Sequence, residues 1–304
     1  MSPKSSSLAA PPKKREPRAV SRWGQDRRLE FIDFRLQWDG RLNRSDLVSF
    51  FGISVPQASL DIARYAEIAP SNLEYDRSAR LYVAGQSFSA VYPGSNASRY
   101  LNELLAREAG VLPPEASFLG WTPPIAAMPV PGRALEPQTV SGLLRAVREG
   151  TGVRVTYQSM SRPEPVERKL TPHAFGHDGF RWHVRAYCHT RDEFRDFVIA
   201  RMTNVVPSAS AGPGAEEDEK WNKVLTLTLV PNPKLSSAHR QAIATDFGMV
   251  NGEVWLECRQ ALAFYVLRHL GLLVDMPDQP ETQQVVLKNR SEVLPHLNLR
   301  QLAA

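Results

Sequence analysis

The spacing of apolar and polar residues predicts three helices and a hairpin in the first part of the chain. The first helix begins near Trp23 and ends near Gly40, which can serve as its C-cap. The second lies in "NRSDLVSFFG" and is stopped by Gly52. The third, "SVPQASLDIARYAEIA", starts at Ser54, an N-cap residue with Gln57 three positions later in a capping-box arrangement. Two short strands joined by a polar turn follow in "NLEYDRSARLYVAG".

Two closely linked helices followed by a hairpin predict a winged helix-turn-helix domain over residues 21–92. In this motif the second helix of the pair lies in the major groove, with its N-terminal residues at the base edges. We therefore expect base contacts from Ser54, Val55, Gln57, Ala58 and Ser59. Candidate phosphate and other DNA contacts come from Arg27, Arg28, Arg44, Arg64, Arg77 and Arg80. The alternative is a small helical domain that binds no DNA.

The middle of the chain predicts a linker and a second domain. A helix in "NASRYLNELLAREAG" and a stretch with seven prolines between residues 113 and 137 make residues 93–136 a helix and proline-rich linker. An amphipathic helix then precedes the strands "GVRVTYQS", "ERKLTPHAFG", "GFRWHVRAYCHT" and "FRDFVIARM". A helix followed by a bent sheet of short strands predicts a small Sm-like β-barrel over residues 137–207.

The last part of the chain predicts a linker and a small α/β module. Residues 208–220, "SASAGPGAEEDEK", are typical of a flexible acidic linker. Residues 221–304 alternate strand and helix patterns, from "KVLTLTLVPN" to "TQQVVLK". The apolar helix "ALAFYVLRHLGLLV" exceeds what so small a domain can bury alone, which predicts a homodimer. The fold class is therefore a multidomain α+β protein.

The strand "GFRWHVRAYCHT" carries two different faces. Trp182, Val184 and Ala186 alternate towards a core, and the opposite face presents polar groups. The candidate ligand-binding residues on that face and on neighbouring strands are Tyr157, Ser159, His173, Arg181, His183, Arg185, Tyr187 and Arg201. Guanidinium, imidazole and hydroxyl groups suit a phosphate-bearing effector such as a nucleotide or short oligonucleotide. The alternative is a structural face whose arginines pair with Glu164, Glu167, Asp192, Glu193 and Asp196.

Charge and composition favour a nucleic-acid partner for an ordinary globular chain. Of 304 residues, 42% are hydrophobic and 23% charged, with a net charge of +5. Residues 1–28 hold eight basic and two acidic residues, and residues 1–20 read as a disordered basic arm. There is no apolar run of membrane-spanning length and no signal-peptide pattern, so we expect a cytoplasmic protein without a membrane partner. The two cysteines, Cys188 and Cys258, agree with a reducing compartment.

Catalytic and metal motifs are missing from the sequence. It contains no P-loop, G-x-S-x-G, Rossmann fingerprint or HExxH, so we expect no enzyme and no cofactor. His173, His177, Cys188 and His189 are candidate zinc ligands, but they fall on strands where adjacent Cys188 and His189 point to opposite faces, and no metal site is expected. A His-dependent nuclease using His173 or His183 remains an alternative.

These features together resemble the WYL-domain transcription regulators. "RWHVRAYC" occupies the place of the family's Trp-Tyr-Leu signature, with His183 and Val184 in place of Tyr and Leu, and Arg201 matches the arginine of a downstream Arg-Ile pair. "GISVPQASLDIARY", "EYDRSARLY" and "DGFRWHVRAYC" are similar to the BrxR/CapW group from phage-defence loci. The resemblance implies a C-terminal WCX dimerisation domain, a homodimer on an inverted repeat of duplex DNA, and repression of defence genes relieved by an effector bound in the WYL domain. An Sm-like RNA-binding protein is the rival interpretation.

Overall fold

The computed structural model describes residues 18–209, 211–274 and 279–297. Two compact units divide the chain, Met1–Pro129 and Val130–Ala304. Most of the predicted basic arm, residues 1–17, lies outside the described residues. No helix in the described ranges is both long enough and apolar enough to cross a membrane.

The first unit contains the predicted helices and hairpin. Its elements in chain order are α1 (Arg18–Asp39), β1 (Arg41–Leu42), α2 (Arg44–Phe51), α3 (Val55–Ile68), β2 (Leu73–Asp76), β3 (Leu81–Ala84) and α4 (Ala97–Glu108). Gly52 ends α2 with φ of +64°, a left-handed conformation that glycine adopts without steric cost. The Ser54 hydroxyl accepts the Gln57 N–H at 3.3 Å, as predicted, but the Gln57 side chain bonds elsewhere and does not complete the capping box.

The core of the first unit is aromatic and includes part of the predicted linker. Phe31, Phe34 and Tyr65 are fully buried and hold α1 against α3 and its neighbours. The strands form a sheet of order β1-β3-β2, so the predicted hairpin gains a third, two-residue strand. Phe118 lies in the proline-rich stretch, yet it is buried in this core and packs edge-on against Phe31. Residues around position 118 are therefore part of the domain rather than a free connection.

The second unit begins with α5 and a five-stranded antiparallel sheet, where a Sm-like barrel is predicted. The elements are α5 (Pro137–Glu149), β4 (Gly152–Tyr157), β5 (Val166–His177), β6 (Trp182–Cys188), β7 (Glu193–Val198) and β8 (Met202–Ser208). The strand order is β7-β6-β5-β4-β8. The stretch "FRDFVIARM", predicted as one strand, is broken by a 3-10 turn at Ile199–Arg201, after which β8 pairs with β4. Leu143 of α5 packs in one core with Leu170 and Val184 of the sheet.

The C-terminal module follows the predicted alternation of strands and helices. Its elements are α6 (Glu219–Asn222), β9 (Val224–Pro231), α7 (Ser237–Asp246), β10 (Val254–Arg259), α8 (Gln260–His269), β11 (Val285–Leu287) and α9 (Arg290–Val293). The antiparallel sheet has the order β10-β9-β11. Leu227 and Leu229 of β9 pack against Ala263 and Leu267 of α8. Much of the apolar surface of α8 is thus buried within the chain itself.

The segment predicted as a flexible acidic linker is docked on the sheet. Asp218 is buried beneath it, and the Gly212 N–H donates to the Thr171 hydroxyl at 2.8 Å. A carboxylate inside the protein needs ionic partners, and the sheet provides them, as described below. At least one acidic residue of this segment, Asp218, therefore makes a buried contact instead of facing solvent.

Candidate nucleic-acid interface and effector cavity

The turn between β2 and β3 carries two exposed arginines, Arg77 and Arg80. Asp76 accepts bonds from the Ser78 N–H at 2.8 Å and the Ala79 N–H at 3.0 Å, which fixes the turn. Hydrogen bonds from the Ser78 hydroxyl and these two N–H groups lower the pKa of Asp76. Arg77 and Arg80 are exposed, and neither has a side-chain partner among the residues that the structure describes. The predicted wing is therefore a rigid turn with two cations available to phosphates.

Arg44 connects the helix-turn-helix to the wing. Its Nε donates to the Ser59 hydroxyl of α3 at 3.0 Å, and its Nη2 donates to the Tyr82 hydroxyl of β3 at 2.6 Å. Its guanidinium also lies over the Tyr82 ring. Arg44 thus positions α3 relative to the wing.

Several other predicted DNA contacts are engaged within the domain. Arg28 forms a two-point ion pair with Asp61, whose side chain is fully buried, and the shorter distance, Nε–Oδ2, is 2.6 Å. The Gln57 amide donates to Asp61 Oδ1 at 3.1 Å. Arg64 pairs with Glu67 of the same helix at 2.7 Å. Arg28 and Gln57 form one polar cluster that holds α1 to α3.

The remaining predicted contacts fall into two groups. Ala58 is fully buried in the core, so the prediction that it meets a base is wrong. Helical geometry explains the error, because position 58 faces α1 and α2 while positions 54 and 55 face solvent. Arg27 is exposed, with its guanidinium 5.0 Å from the Phe118 ring centre. Ser54 and Val55 are exposed, as a base contact requires.

In the second unit, the two faces of β6 are both largely buried. Val184 and Ala186 lie in the core, but Trp182 is 48% exposed, so its predicted core position is wrong. Trp182 is the first residue of the strand and is paired with His177 at the end of the sheet, beyond the reach of the core cluster. On the other face, Arg185 is only 4% exposed. The expected open or concave face is covered at this position.

Arg185 is held by two carboxylates. Its Nε and Nη2 donate to the two oxygens of Asp218 at 2.7 and 3.0 Å, and its Nη1 donates to Asp196 at 3.1 Å. Tyr265 of α8 also donates to Asp196, at 3.2 Å, and His173 Nε2 lies 3.0 Å from Asp218. Burial raises the pKa of Asp218, but hydrogen bonds from His173 and Arg185 outweigh it and hold that pKa well below the ordinary value. The guanidinium and the two carboxylates form one connected network of charge-assisted hydrogen bonds.

A second network lies at the beginning of the same strand. His183 Nε2 is 3.0 Å from Asp178 Oδ2, and Arg181 Nε is 2.9 Å from the same oxygen. Burial raises the pKa of Asp178, but bonds from His183, from the Phe180 N–H and from Arg181 outweigh it and hold that pKa below its usual range. The His183 ring packs against Tyr265, with centroids 5.1 Å apart. The Asp196 carboxylate belongs to the predicted structural alternative, whereas the Asp178 and Asp218 partners were not foreseen.

A cavity of about 800 Å³ lies beside these networks, between the five-stranded sheet and the C-terminal module. Such a volume suits a small-molecule ligand. The charged lining has eight basic side chains and two acidic ones, Glu193 and Asp196. Within the described ranges, no hydrogen bond or ion pair engages the side chains of five of these cations, Arg168, Arg191, Arg201, Lys220 and Arg268. The cavity is therefore suited to an anion.

Six of the eight predicted ligand residues line this cavity: Tyr157, Ser159, Arg181, His183, Arg185 and Arg201. Tyr187 and His173 do not; the Tyr187 hydroxyl donates to Asp192, and His173 lies between the rings of Phe194 and Trp221. Sequence reasoning missed the lining residues Arg168, Arg191, Lys220, Tyr265, Arg268 and His296. The alternation of β5 could have indicated Arg168, but nothing in the sequence indicates that α8 faces this sheet.

The candidate zinc ligands do not converge. Cys188 is buried in the core, and His177 packs on the Trp182 ring with centroids 4.8 Å apart. No group of three or more His, Cys, Asp or Glu side chains in the part of the chain that the structure describes is arranged to hold a metal ion.

Comparisons with known proteins match each part of this architecture. The BrxR transcriptional regulator winged helix-turn-helix domain matches residues 24–106, the WYL domain matches residues 138–207, and the BrxR transcriptional regulator C-terminal dimerization domain matches residues 224–293. The chain belongs to the BrxR-type WYL regulators. This is a family of transcription regulators and not of enzymes, in agreement with the expectation from sequence.

Relatives of nearly full length carry one name, DNA-binding transcriptional repressor CapW. The relative from Pseudomonas aeruginosa is 52% identical over 91% of this chain and 93% of its own. The relative from Escherichia coli is 49% identical over 91% of this chain and 93% of its own, and that from Stenotrophomonas maltophilia is 48% identical over 90% and 92%. A solved structure, proteasome accessory factor B/C of Arthrobacter aurescens, aligns with 97% of this chain and 52% of its own at 15% identity, with a TM-score of only 0.24.

Proposed function

We propose that this chain is a homodimeric, sequence-specific DNA-binding repressor. The observation that carries the proposal is the helix-turn-helix with its wing, in a chain about half identical to repressors over nearly its whole length. Arg77 and Arg80 project from the wing without partners among the described side chains, where phosphate contacts are expected. Ser54 and Val55 are exposed at the start of α3.

The second element of the proposal is self-association through the C-terminal module, which matches a dimerization domain. Although α8 is largely buried, the module still exposes apolar side chains at Phe247, Val250 and Trp255. Exposed apolar groups in a module of this type favour contact with a second copy. Two copies related by a two-fold axis match the two half-sites of an inverted repeat in duplex DNA.

The third element is an effector that carries phosphate, such as a nucleotide or short oligonucleotide, bound in the cavity. Arg185 and Arg181 are already paired with carboxylates. The anion would instead be held by the free cations, foremost Arg168 of β5, Arg201 of the turn before β8 and Arg268 of α8. The cavity is lined from both the sheet and the C-terminal module, so a ligand there would contact both. It would release DNA only to the extent that it binds the DNA-free conformation more tightly.

A displacement assay tests the repressor and its effector together. The probe is a duplex from the promoter upstream of the chain's own gene, and the competitors are a short single-stranded DNA with a 5′-phosphate, the same strand without it, inorganic phosphate and single-stranded RNA. We expect specific binding of the promoter duplex and release by the phosphorylated strand. Preference for RNA over the promoter duplex would favour the Sm-like RNA-binding alternative.

Variants separate the cavity from the rest of the sheet. Arg168→Ala and Arg201→Ala should keep promoter binding and lose the effector response. Arg154→Ala is the matched control, because Arg154 is an exposed arginine of β4 that does not line the cavity. If both cavity variants still release the promoter duplex in response to the effector, the effector does not bind in this cavity.

The regulated genes are proposed to be those of a phage-defence locus, as the resemblance to the BrxR/CapW group implies. A reporter placed behind the promoter of the neighbouring operon should be repressed by the chain. Expression of the reporter that does not change when the chain is deleted would contradict this assignment.

A further inference from the structure

The polar side chains on α3 are engaged within the protein. Gln57 donates to Asp61, and the Ser59 hydroxyl donates to the Val55 carbonyl at 3.1 Å while it accepts from Arg44. The Gln57 amide keeps only its Oε1 and one N–H, and the Ser59 hydrogen is already donated, so each group could bond a base only in the geometry that these contacts leave. Hydrogen-bonded reading of base edges by this helix therefore has few free groups to use.

The exposed side of α3 carries apolar residues over its first half, and the exposed Arg64–Glu67 ion pair follows further along the helix. Leu60 is 65% exposed, and Pro56 and Ala63, four residues before and three after it, are exposed on the same side of the helix. Val55, at the start of α3, is 56% exposed. A lone exposed leucine needs no explanation. Here it lies at the centre of the helix face that a helix-turn-helix turns towards the major groove.

We propose that α3 reads its operator through the C5-methyl groups of thymine, with Leu60 as the principal contact. In the major groove, thymine is the base that offers a methyl group, and apolar side chains recognise it by contact. Ala63 and Pro56 are small neighbours that allow the helix to approach the base edges closely. The inference rests on the DNA-binding function proposed above and names the residue that sets its specificity.

Affinity and specificity are then carried by different parts of the domain. Arg77 and Arg80 on the wing supply charge for the phosphates, which carries no sequence information by itself. The α3 face supplies discrimination between A·T and G·C pairs. A change at Leu60 should consequently alter which sequences bind more than it alters the salt dependence of binding.

Replacement of thymine by uracil tests the methyl contact directly, because it removes the methyl group and leaves the hydrogen-bonding edge. The probe is a duplex selected from a random library by the wild-type protein, with single thymines replaced one at a time in each half-site. At the contacted position the wild type should lose about fourfold in affinity, the equivalent of about 0.8 kcal/mol for one buried carbon group. Leu60→Ala should bind the thymine duplex more weakly and be insensitive to uracil at that position.

Two further variants keep the test interpretable. Leu60→Met retains an apolar side chain and should retain the preference for thymine. Ile68→Ala removes another exposed apolar side chain of α3, two turns further along, and should behave as wild type. The circular dichroism melting curve of Leu60→Ala should match that of the wild type, because the side chain is exposed.

The outcomes are distinguishable. A uracil penalty that is equal in wild type and Leu60→Ala would show that Leu60 does not make the contact, and the inference would fall. A wild type that binds thymine and uracil duplexes equally at every position would also overturn it, while DNA binding would stand. Selection of no duplex at all would contradict the proposed function itself.

Discussion

Arg185 and Asp218 form a buried two-point ion pair, with Nε–Oδ2 and Nη2–Oδ1 distances of 2.7 and 3.0 Å, across 33 positions of the chain. Asp218 is 1% exposed and lies just before α6, at the entrance to the C-terminal module. The pair therefore fastens the start of that module to the middle of the WYL sheet. The charged face of β6 is part of the interior of the second unit.

The first prediction concerns the loss of one member of this pair. Asp218→Ala leaves the Arg185 guanidinium buried with Asp196 as its remaining ionic partner. Breaking a buried pair by removing one partner costs about 3–5 kcal/mol. Urea denaturation, followed by tryptophan fluorescence, should show a loss of this size in the free energy of unfolding.

An exposed ion pair of the same sheet provides the control. Arg195 and Glu193 lie 2.9 Å apart with about half of each side chain in solvent. Glu193→Ala should change the free energy of unfolding by less than about 1 kcal/mol. If Asp218→Ala lowers the free energy of unfolding by no more than Glu193→Ala does, the Arg185–Asp218 pair does not hold the start of the C-terminal module to the sheet.

The second prediction is a dependence of stability on pH that comes from the carboxylates of Asp178 and Asp218. Both have a pKa below the ordinary value of 3.8 in the folded protein. Their stabilising effect is therefore complete above about pH 4 and is lost as the pH falls towards the lower folded-state pKa. Melting temperatures measured from pH 7 to pH 3 should decline below about pH 4, and the decline should be shallower in Asp178→Asn. If the melting temperature of Asp178→Asn declines as steeply as that of the wild type, titratable groups other than Asp178 cause the loss of stability.

The third prediction concerns the close approach of Gly212 to the sheet. A Cβ at this position would lie 2.9 Å from ring atoms of His189 and Tyr187 and 3.0 Å from the Thr171 hydroxyl oxygen. Gly212→Ala should therefore destabilise the second unit by about 1–3 kcal/mol, as overpacking does. Gly132→Ala is the control, since a Cβ added at Gly132 would have no other atom within 4 Å. Thermal unfolding distinguishes the two, and equal melting temperatures would mean that residue 212 is not packed in solution.

Local signals in the sequence were sufficient for most of the secondary structure. Ser54 caps α3, Gly52 ends α2, and the polar turn after Asp76 forms the wing, because each depends on neighbours within a few residues. The strand and helix alternation of the C-terminal module was predictable for the same reason. The break between β7 and β8 was missed because a 3-10 turn preserves an apolar pattern that reads as a continuous strand.

Long-range contacts were not predictable in this way. Alternation along β6 separates Val184 from Arg185 correctly, but it cannot show what covers the second face. That cover comes from Asp218 and from Tyr265, which are 33 and 80 positions distant from Arg185. Composition indicated a solvated linker around Asp218, whereas the Asp218 carboxylate is buried and paired with Arg185. The cavity could be foreseen only on the side formed by the sheet.

The fourth prediction concerns the wing. Arg77→Ala and Arg80→Ala should each weaken binding to specific and random duplexes alike and reduce the slope of log K against log salt by about 1. Arg154→Ala, an exposed arginine in the other unit, should leave this slope unchanged. Fluorescence anisotropy between about 50 and 200 mM salt measures the slopes. Slopes that remain equal to the wild type would place the wing away from the phosphates.

The central claim is that two copies of this chain bind one inverted repeat. The most direct measurement is the mass of the complex between the full chain and a duplex from its own promoter, determined by light scattering after size exclusion. The half-sites of this duplex should lie about 10 bp, or a multiple of about 10 bp, apart. We expect two chains per duplex, and much weaker binding when one half-site is scrambled. One chain per duplex, or equal affinity for the intact and scrambled sequences, would contradict the account.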